Sequence, residues 1–204
     1  RPARPFHVVA VGRVVSGARR VPPVPQVGPG LPPVLRVDLH QHRRPGLFGA
    51  HYPWEALEDD AEGAPPYGFW ADHIFHMSNI ALSAWHHYLY TGDADYLSKV
   101  GYPVIKECAR FFLANMIYEW PDGSMIIGKC TDLERLGTSR LNPFLTSCGA
   151  IYTLESAAAG AELLKLDSDE AASWRHAALK LRESLPHENG RYVPYKGCAE
   201  ESVA

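Results

Sequence analysis

Beyond Trp70, apolar residues recur at helical spacing along most of the chain. Ile74, Met77, Ala81, Ala84 and Tyr88 follow at intervals of three and four, which predicts a first helix ending at Thr91-Gly92-Asp93. Gly92 can take the left-handed C-terminal position there, and Asp93 can cap the next turn. A short turn over 94–99 is expected to lead to Gly101. Val104, Ile105, Cys108, Phe111, Phe112 and Met116 then mark a second helix with one wide apolar face and Pro103 near its start. Pro121-Asp122-Gly123 reads as a turn, and 124–128 as a short strand or hairpin. An Ala-rich third helix runs from about Leu145 to Lys165, behind Pro143. Asp167 and Glu170 have the spacing of a capping box, and Trp174, Ala178, Leu181 and Leu185 space a fourth helix that Pro186 ends. Asn189-Gly190 is a turn before a short extended piece over 191–195.

Four helices joined by short connections predict antiparallel helical hairpins, an all-α fold. Nothing alternates strand with helix, which argues against a parallel sheet. The second and third helices are small or apolar over much of their surface, as suits an inner layer packed on both sides.

Composition changes this picture mainly at the start of the chain. The whole is ordinary for a globular protein, with 46% hydrophobic and 21% charged residues and a formal net charge of −3. Residues 1–46, however, carry eight arginines against Asp38 alone, with no Lys and no Glu, among many Val, Pro and Gly. Three readings fit: a disordered basic Pro-rich tail, a nucleic-acid-binding arm, or a non-native reading frame of a GC-rich gene. The absence of Lys and the near absence of aromatics to stack on bases favour the last, so no nucleic-acid partner is expected. Apolar runs such as 8–15 are far shorter than the ~20 residues that span a bilayer, and no membrane partner is expected. Cys108, Cys130, Cys148 and Cys198 make no C-x-x-C pair and no zinc-finger spacing. Buried reduced thiols in a cytosol-like compartment are the favoured reading.

Three features suggest chemistry. Tyr52-Pro53-Trp54-Glu55 sets two aromatics and a carboxylate around a proline, before the acidic stretch 58–62. Aromatic faces beside carboxylates hold sugars, because the ring stacks on C–H faces and the carboxylate accepts from hydroxyls. A packed loop with a buried Trp is the plainer alternative. Next, 128–135 reads Gly-Lys-Cys-Thr-Asp-Leu-Glu-Arg and places Asp132 and Glu134 in a loop between apolar helices. At the mouth of a helical ring, partial burial would raise a carboxyl into the range of a proton donor. An exposed acidic loop paired with Arg135 is the alternative. Finally, His73, His76, His86 and His87 are expected on the first helix. His73 and His76 stand at metal-ligand spacing, but no third ligand follows from the pattern, so no metal is expected. Walker, G-x-G-x-x-G and G-x-S-x-G motifs are absent from the sequence.

The order of these pieces resembles the catalytic domain of glycoside hydrolase family 65. The resemblance rests on G-A-H-Y-P-W-E at 49–55, Y-L-Y-T-G-D-A-D-Y-L at 88–97, G-Y-P-V-I-K-E-C-A-R-F-F at 101–112 and the G-K-C-T-D-L-E loop at 128–134. It implies an (α/α)₆ toroid, of which 47–204 would be a part, and activity on α-linked di- or oligosaccharides, by hydrolysis or by phosphorolysis. It makes Glu134 the general acid, although Thr-Asp-Leu stands where the family has Gly-Pro-Asp, and this leaves Asp132 as a substitute. Tyr52, Trp54, Glu55, Asp72, His76 and Asn142 become substrate-binding residues. The implied mechanism is inversion, one carboxylic acid protonating the glycosidic oxygen while water or phosphate attacks the opposite face. No cofactor is implied, only inorganic phosphate as co-substrate in a phosphorylase. The family's second carboxylate, its phosphate pocket and its Trp-Asp motif match nothing in this chain, so only the acid's half of a site is expected. A non-catalytic helical-hairpin protein that binds carbohydrate or a protein is the competing reading.

Overall fold

A computed structural model describes residues 48–55, 57 and 62–198. The expectations for residues 1–46 lie outside them. Among the described residues, the expected all-α architecture of helical hairpins is present, with two small strand pairs.

Helix α1 spans His76–Thr91 and buries Met77, Ala81, Ala84 and Trp85. It stops where expected: Gly92 is left-handed at φ 65°, and its N–H bonds the Tyr88 carbonyl at 2.7 Å. Asp93 then accepts from the Tyr96 N–H at 2.8 Å. The turn expected over 94–99 is instead helical. One α-turn at Ala94–Tyr96 runs through a wide π-turn at Leu97–Gly101 into α2, Tyr102–Phe111. Pro103 has no N–H, and in a regular helix its ring would crowd the carbonyl four residues back. Widening the turn just before it relieves that conflict and keeps the helix continuous. A second π-turn, Phe112–Met116, closes the helix. There the Asn115 amide donates to the carbonyls of Phe111 (2.9 Å) and Phe48 (2.8 Å).

Strands β1 (Ile117–Glu119) and β2 (Met125–Ile127) pair antiparallel, with Tyr118 opposite Ile126. Helix α3, Phe144–Leu164, lies against α4 on one side and α1 and α2 on the other. Its small residues allow that closeness. Gly149 sits so near Ser78 that a Cβ would lie 2.3 Å from its Oγ, and Gly160 seats the Tyr102 ring beside Trp85. These contacts climb both helices in the same direction, so α1 and α3 run parallel. Helix α4, Ser168–Glu183, returns antiparallel to α3: Arg175 meets Glu162 and Arg182 meets Glu155, both at 2.6 Å. Trp174, Ala178 and Leu181 enter the core, where burying a large apolar side chain is worth about 1.5–3 kcal/mol. Strands β3 (His187–Glu188) and β4 (Arg191–Tyr192) form a hairpin over Asn189-Gly190, both left-handed.

The capping box expected at Asp167 and Glu170 does not form. Asp167 is left-handed at φ 48° and makes no side-chain cap. Its carboxylate accepts from Tyr102 (2.7 Å) and Lys106, while Glu170 accepts from Arg110 Nη2 and Nε at 2.6 and 2.8 Å. Cations one turn apart on α2 outcompete the helix's own N–H groups, and the two hairpins are latched together.

Candidate active site

Because α1 and α3 run parallel, their N-termini lie at one end of the body, and the loops bearing the candidate residues gather there. The segment before α1 holds the loop that precedes α3. The His73 backbone forms a parallel bridge with Thr131. The Asp72 carboxylate accepts from the Thr131 hydroxyl and from Ser139, at 2.9 Å from its N–H and 3.1 Å from its hydroxyl. Asp132 caps α3: it accepts from the N–H groups of Leu145 (3.0 Å) and Thr146 (2.8 Å) and from the Thr146 hydroxyl (2.7 Å). Glu134 opens a short 3₁₀ turn, Glu134–Leu136, and is exposed rather than partly buried.

Trp54 packs over this end. Its ring centroid lies 4.6 Å from that of His73, 5.1 Å from Phe75 and 5.2 Å from His76. Glu62 ties its loop down, accepting from the N–H groups of Trp54 (2.6 Å), Ala64 (2.8 Å) and Glu55 (3.0 Å). His73 precedes α1 rather than riding on it. Burial pushes its pKa down, against the nearby carboxylates of Glu134, Asp72 and Asp132. His76 Nε2 lies 2.8 Å from the Tyr52 carbonyl oxygen, and since a carbonyl only accepts, Nε2 carries the proton and donates it. Burial also lowers the pKa of His76, and it takes His51, with His76 alongside, down to about 3.

The structure thus brings Trp54, Asp72, His76, Asp132 and Glu134 to one end. It separates others from them. The Tyr52 side chain packs on the core, where burial and the neighbouring Cys108 and Glu107 raise its pKa. Glu55 is exposed. Asn142 is buried and left-handed, its side chain accepting from Ile127 N–H (3.2 Å) and Ser147 (3.1 Å) and donating to the Ser184 carbonyl (2.7 Å). It faces a cavity of about 270 Å³ lined also by Asp122, Pro186 and Lys196, with none of the Trp54 group around it. Sequence reasoning gave no role to His51 or to the Glu62 clasp. The one available signal was Gly49, whose left-handed backbone at φ 85° is pressed on Phe111 and carries His51 inward. Among the described residues, no group of three or more His, Cys, Asp and Glu could hold a metal ion.

Sequence relationships place these helical hairpins among the six-hairpin glycosidases. The profile of the glycosyl hydrolase family 95 catalytic domain matches residues 54–191, so the chain belongs to that family. A kojibiose hydrolase of Mucilaginibacter mallensis is 28% identical over 73% of this chain and 22% of its own length. A kojibiose phosphorylase of Halothermothrix orenii is 29% identical over 37% of the chain and 11% of its own length. The protein-glucosylgalactosylhydroxylysine glucosidase of Dictyostelium discoideum is 31% identical over 44% and 16%. The chain therefore spans about a fifth, or less, of the length of these relatives. Among the described residues no helix is long and apolar enough to cross a membrane.

Proposed function

We propose that residues 47–204 form part of an (α/α)₆ catalytic domain that cleaves an α-linked disaccharide such as kojibiose with inversion, and that Glu134 is its general acid. The observation that carries this reading is the meeting of Trp54, His73 and the Glu134 turn at the N-terminal end of two parallel helices. Trp54 offers a face for the sugar ring, and Glu134 is a carboxyl free of backbone duties whose charge acts on His73, the ring packed against Trp54. Asp132 is the poorer donor, because three hydrogen bonds hold it as the cap of α3. Asp72 serves by fixing the acid loop and His76 by holding the Tyr52 carbonyl. Asn142, Tyr52 and Glu55 act on the fold or its rim rather than on the sugar. The family 65 resemblance and the relatives named for kojibiose support the substrate class. Both hydrolysis and phosphorolysis, with inorganic phosphate as co-substrate, are represented among them.

Hydrolysis and phosphorolysis of kojibiose and other α-linked disaccharides by the full-length protein test the reading. Glu134→Gln should lower turnover by about 10²–10⁴-fold, the usual contribution of a general acid, while leaving sugar binding largely intact. Near-normal turnover in that variant would place the acid elsewhere. The second reading, a non-catalytic carbohydrate- or protein-binding module, is favoured by Thr131-Asp132-Leu133 in the acid loop. It predicts sugar binding without turnover in the unsubstituted protein.

A further inference from the structure

Three imidazoles are buried at the site end: His51 and His73 have no hydrogen-bond partner on either ring nitrogen, and His76 has none on Nδ1. His51 and His76 face inward, His51 lying 5.1 Å from the Phe111 ring. His73 is different. It lies under Trp54, 5.9 Å from Phe69, and its backbone is bridged to Thr131 at the entrance of the acid loop. The Asp72 carboxylate holds that loop again at Ser139. Glu134 sits on the arc between these two anchors, exposed, with its charge near enough to act on the His73 ring.

A neutral imidazole always carries one N–H donor and one acceptor. In His73 both are idle, in a ring packed against Trp54, the residue proposed to carry the sugar. We propose that His73 is the positioning residue for Glu134: once a sugar covers Trp54, the carboxyl turns in from solvent and accepts the His73 N–H, which fixes the oxygen that presents the proton. This inference rests on the acid role proposed for Glu134. The backbone of the turn is held at Thr131, Asp132, Leu136 and Ser139, so the motion asked for is one of the Glu134 side chain, and the bridge to Thr131 holds the His73 backbone still.

Steady-state kinetics of the full-length protein on kojibiose test it, with His73→Phe, His73→Gln and Glu134→Gln compared. The Phe variant keeps the packing and removes the donor, so kcat should fall about 100-fold with KM changed less than about threefold. The Gln variant, whose amide N–H can reach the same oxygen, should recover at least about tenfold of that loss. A purely structural His73 would give equal losses in both variants, and that result, or wild-type kcat in the Phe variant, overturns the inference. Glu134→Gln separates the two levels. If it keeps turnover, the acid reading and this inference fall together; if it is inactive while His73→Phe is normal, only the inference falls. Should the Phe variant not fold, ring ¹⁵N shifts of His73 decide. Kojibiose should move one nitrogen toward hydrogen-bonded values in the wild type and not in Glu134→Ala, and an unmoved signal in both overturns the proposal.

Discussion

Where α2 meets the start of α4, Lys106 and Arg110 face Asp167, Glu107 and Glu170 in a largely buried cluster. On the side of α2 where Phe111 packs lie His51, His73 and His76, more deeply buried and almost without partners. The first cluster answers charge with charge. Burial works against ionising Asp167, yet its hydrogen bonds from Lys106 and Tyr102 hold its pKa below the ordinary carboxylate range. The second cluster has no countercharge at bonding distance, so burial outweighs the nearby carboxylates and drives its rings neutral. The difference separates a joint from a candidate site. Groups that fasten two hairpins are used up by each other, while groups at the candidate site retain unused hydrogen-bonding capacity. Glu107 lies between the two cases: Arg110 bonds one oxygen at 2.6 Å, the other has no partner, and burial raises its pKa.

The sharpest way to break this comparison is at Arg110. Arg110→Met leaves Glu107 and Glu170 buried without their cation, and stranding buried charge in this way costs about 3–5 kcal/mol. Thermal or urea unfolding should show that loss, and a change below about 1 kcal/mol would mean the cluster is not a joint. The histidine end should respond to pH instead. The folded-state pKa of His51 lies below its ordinary value of 6.5, at about 3. The stability it contributes is therefore complete above pH 6.5 and is lost as pH falls from there toward 3. The loss is on the order of a few kcal/mol at the low end. His51→Phe should flatten that slope in urea melts taken across this range, and an unchanged slope would assign the acid sensitivity to other groups. The smallest effect is expected at the apolar seam between the clusters. Gly149→Ala must push Ser78 aside, an overpacking cost of about 1–3 kcal/mol, measurable as a lower unfolding midpoint without a change in pH dependence.

The helices were legible in the sequence because they rest on local signals. Gly92 and Asp93 ended and restarted the chain as their chemistry predicts, and Pro143 stands just ahead of α3. The features that escaped depend on partners distant in sequence. Asp167 and Glu170 have the spacing of a capping box, yet Lys106 and Arg110, some sixty residues earlier, claim both carboxylates. Pro103 read as a helix start, while the wide π-turn before it allows the helix to begin at Ala94. At the site, the acid loop and Trp54 were visible as motifs. The burial of His51 and His73 was not, because a histidine's environment is set by the tertiary contacts of Gly49, Phe111 and Trp54 rather than by its neighbours in sequence.

Cys130 and Arg140 exchange both backbone hydrogen bonds, at 3.1 and 2.9 Å, and so pinch the acid loop closed at its base. A segment that leaves and returns at one point can be rewritten without disturbing the scaffold that carries it. Not all of this insert is equally free to drift. Thr131 is held by Asp72 and Asp132 secures the end of α3, so both belong to the scaffold in all but position. Innovation is thereby channelled into 133–138, between the cap and Ser139, where Glu134 stands. A lineage can trade one such turn for another there while the helices beneath it stay as they are.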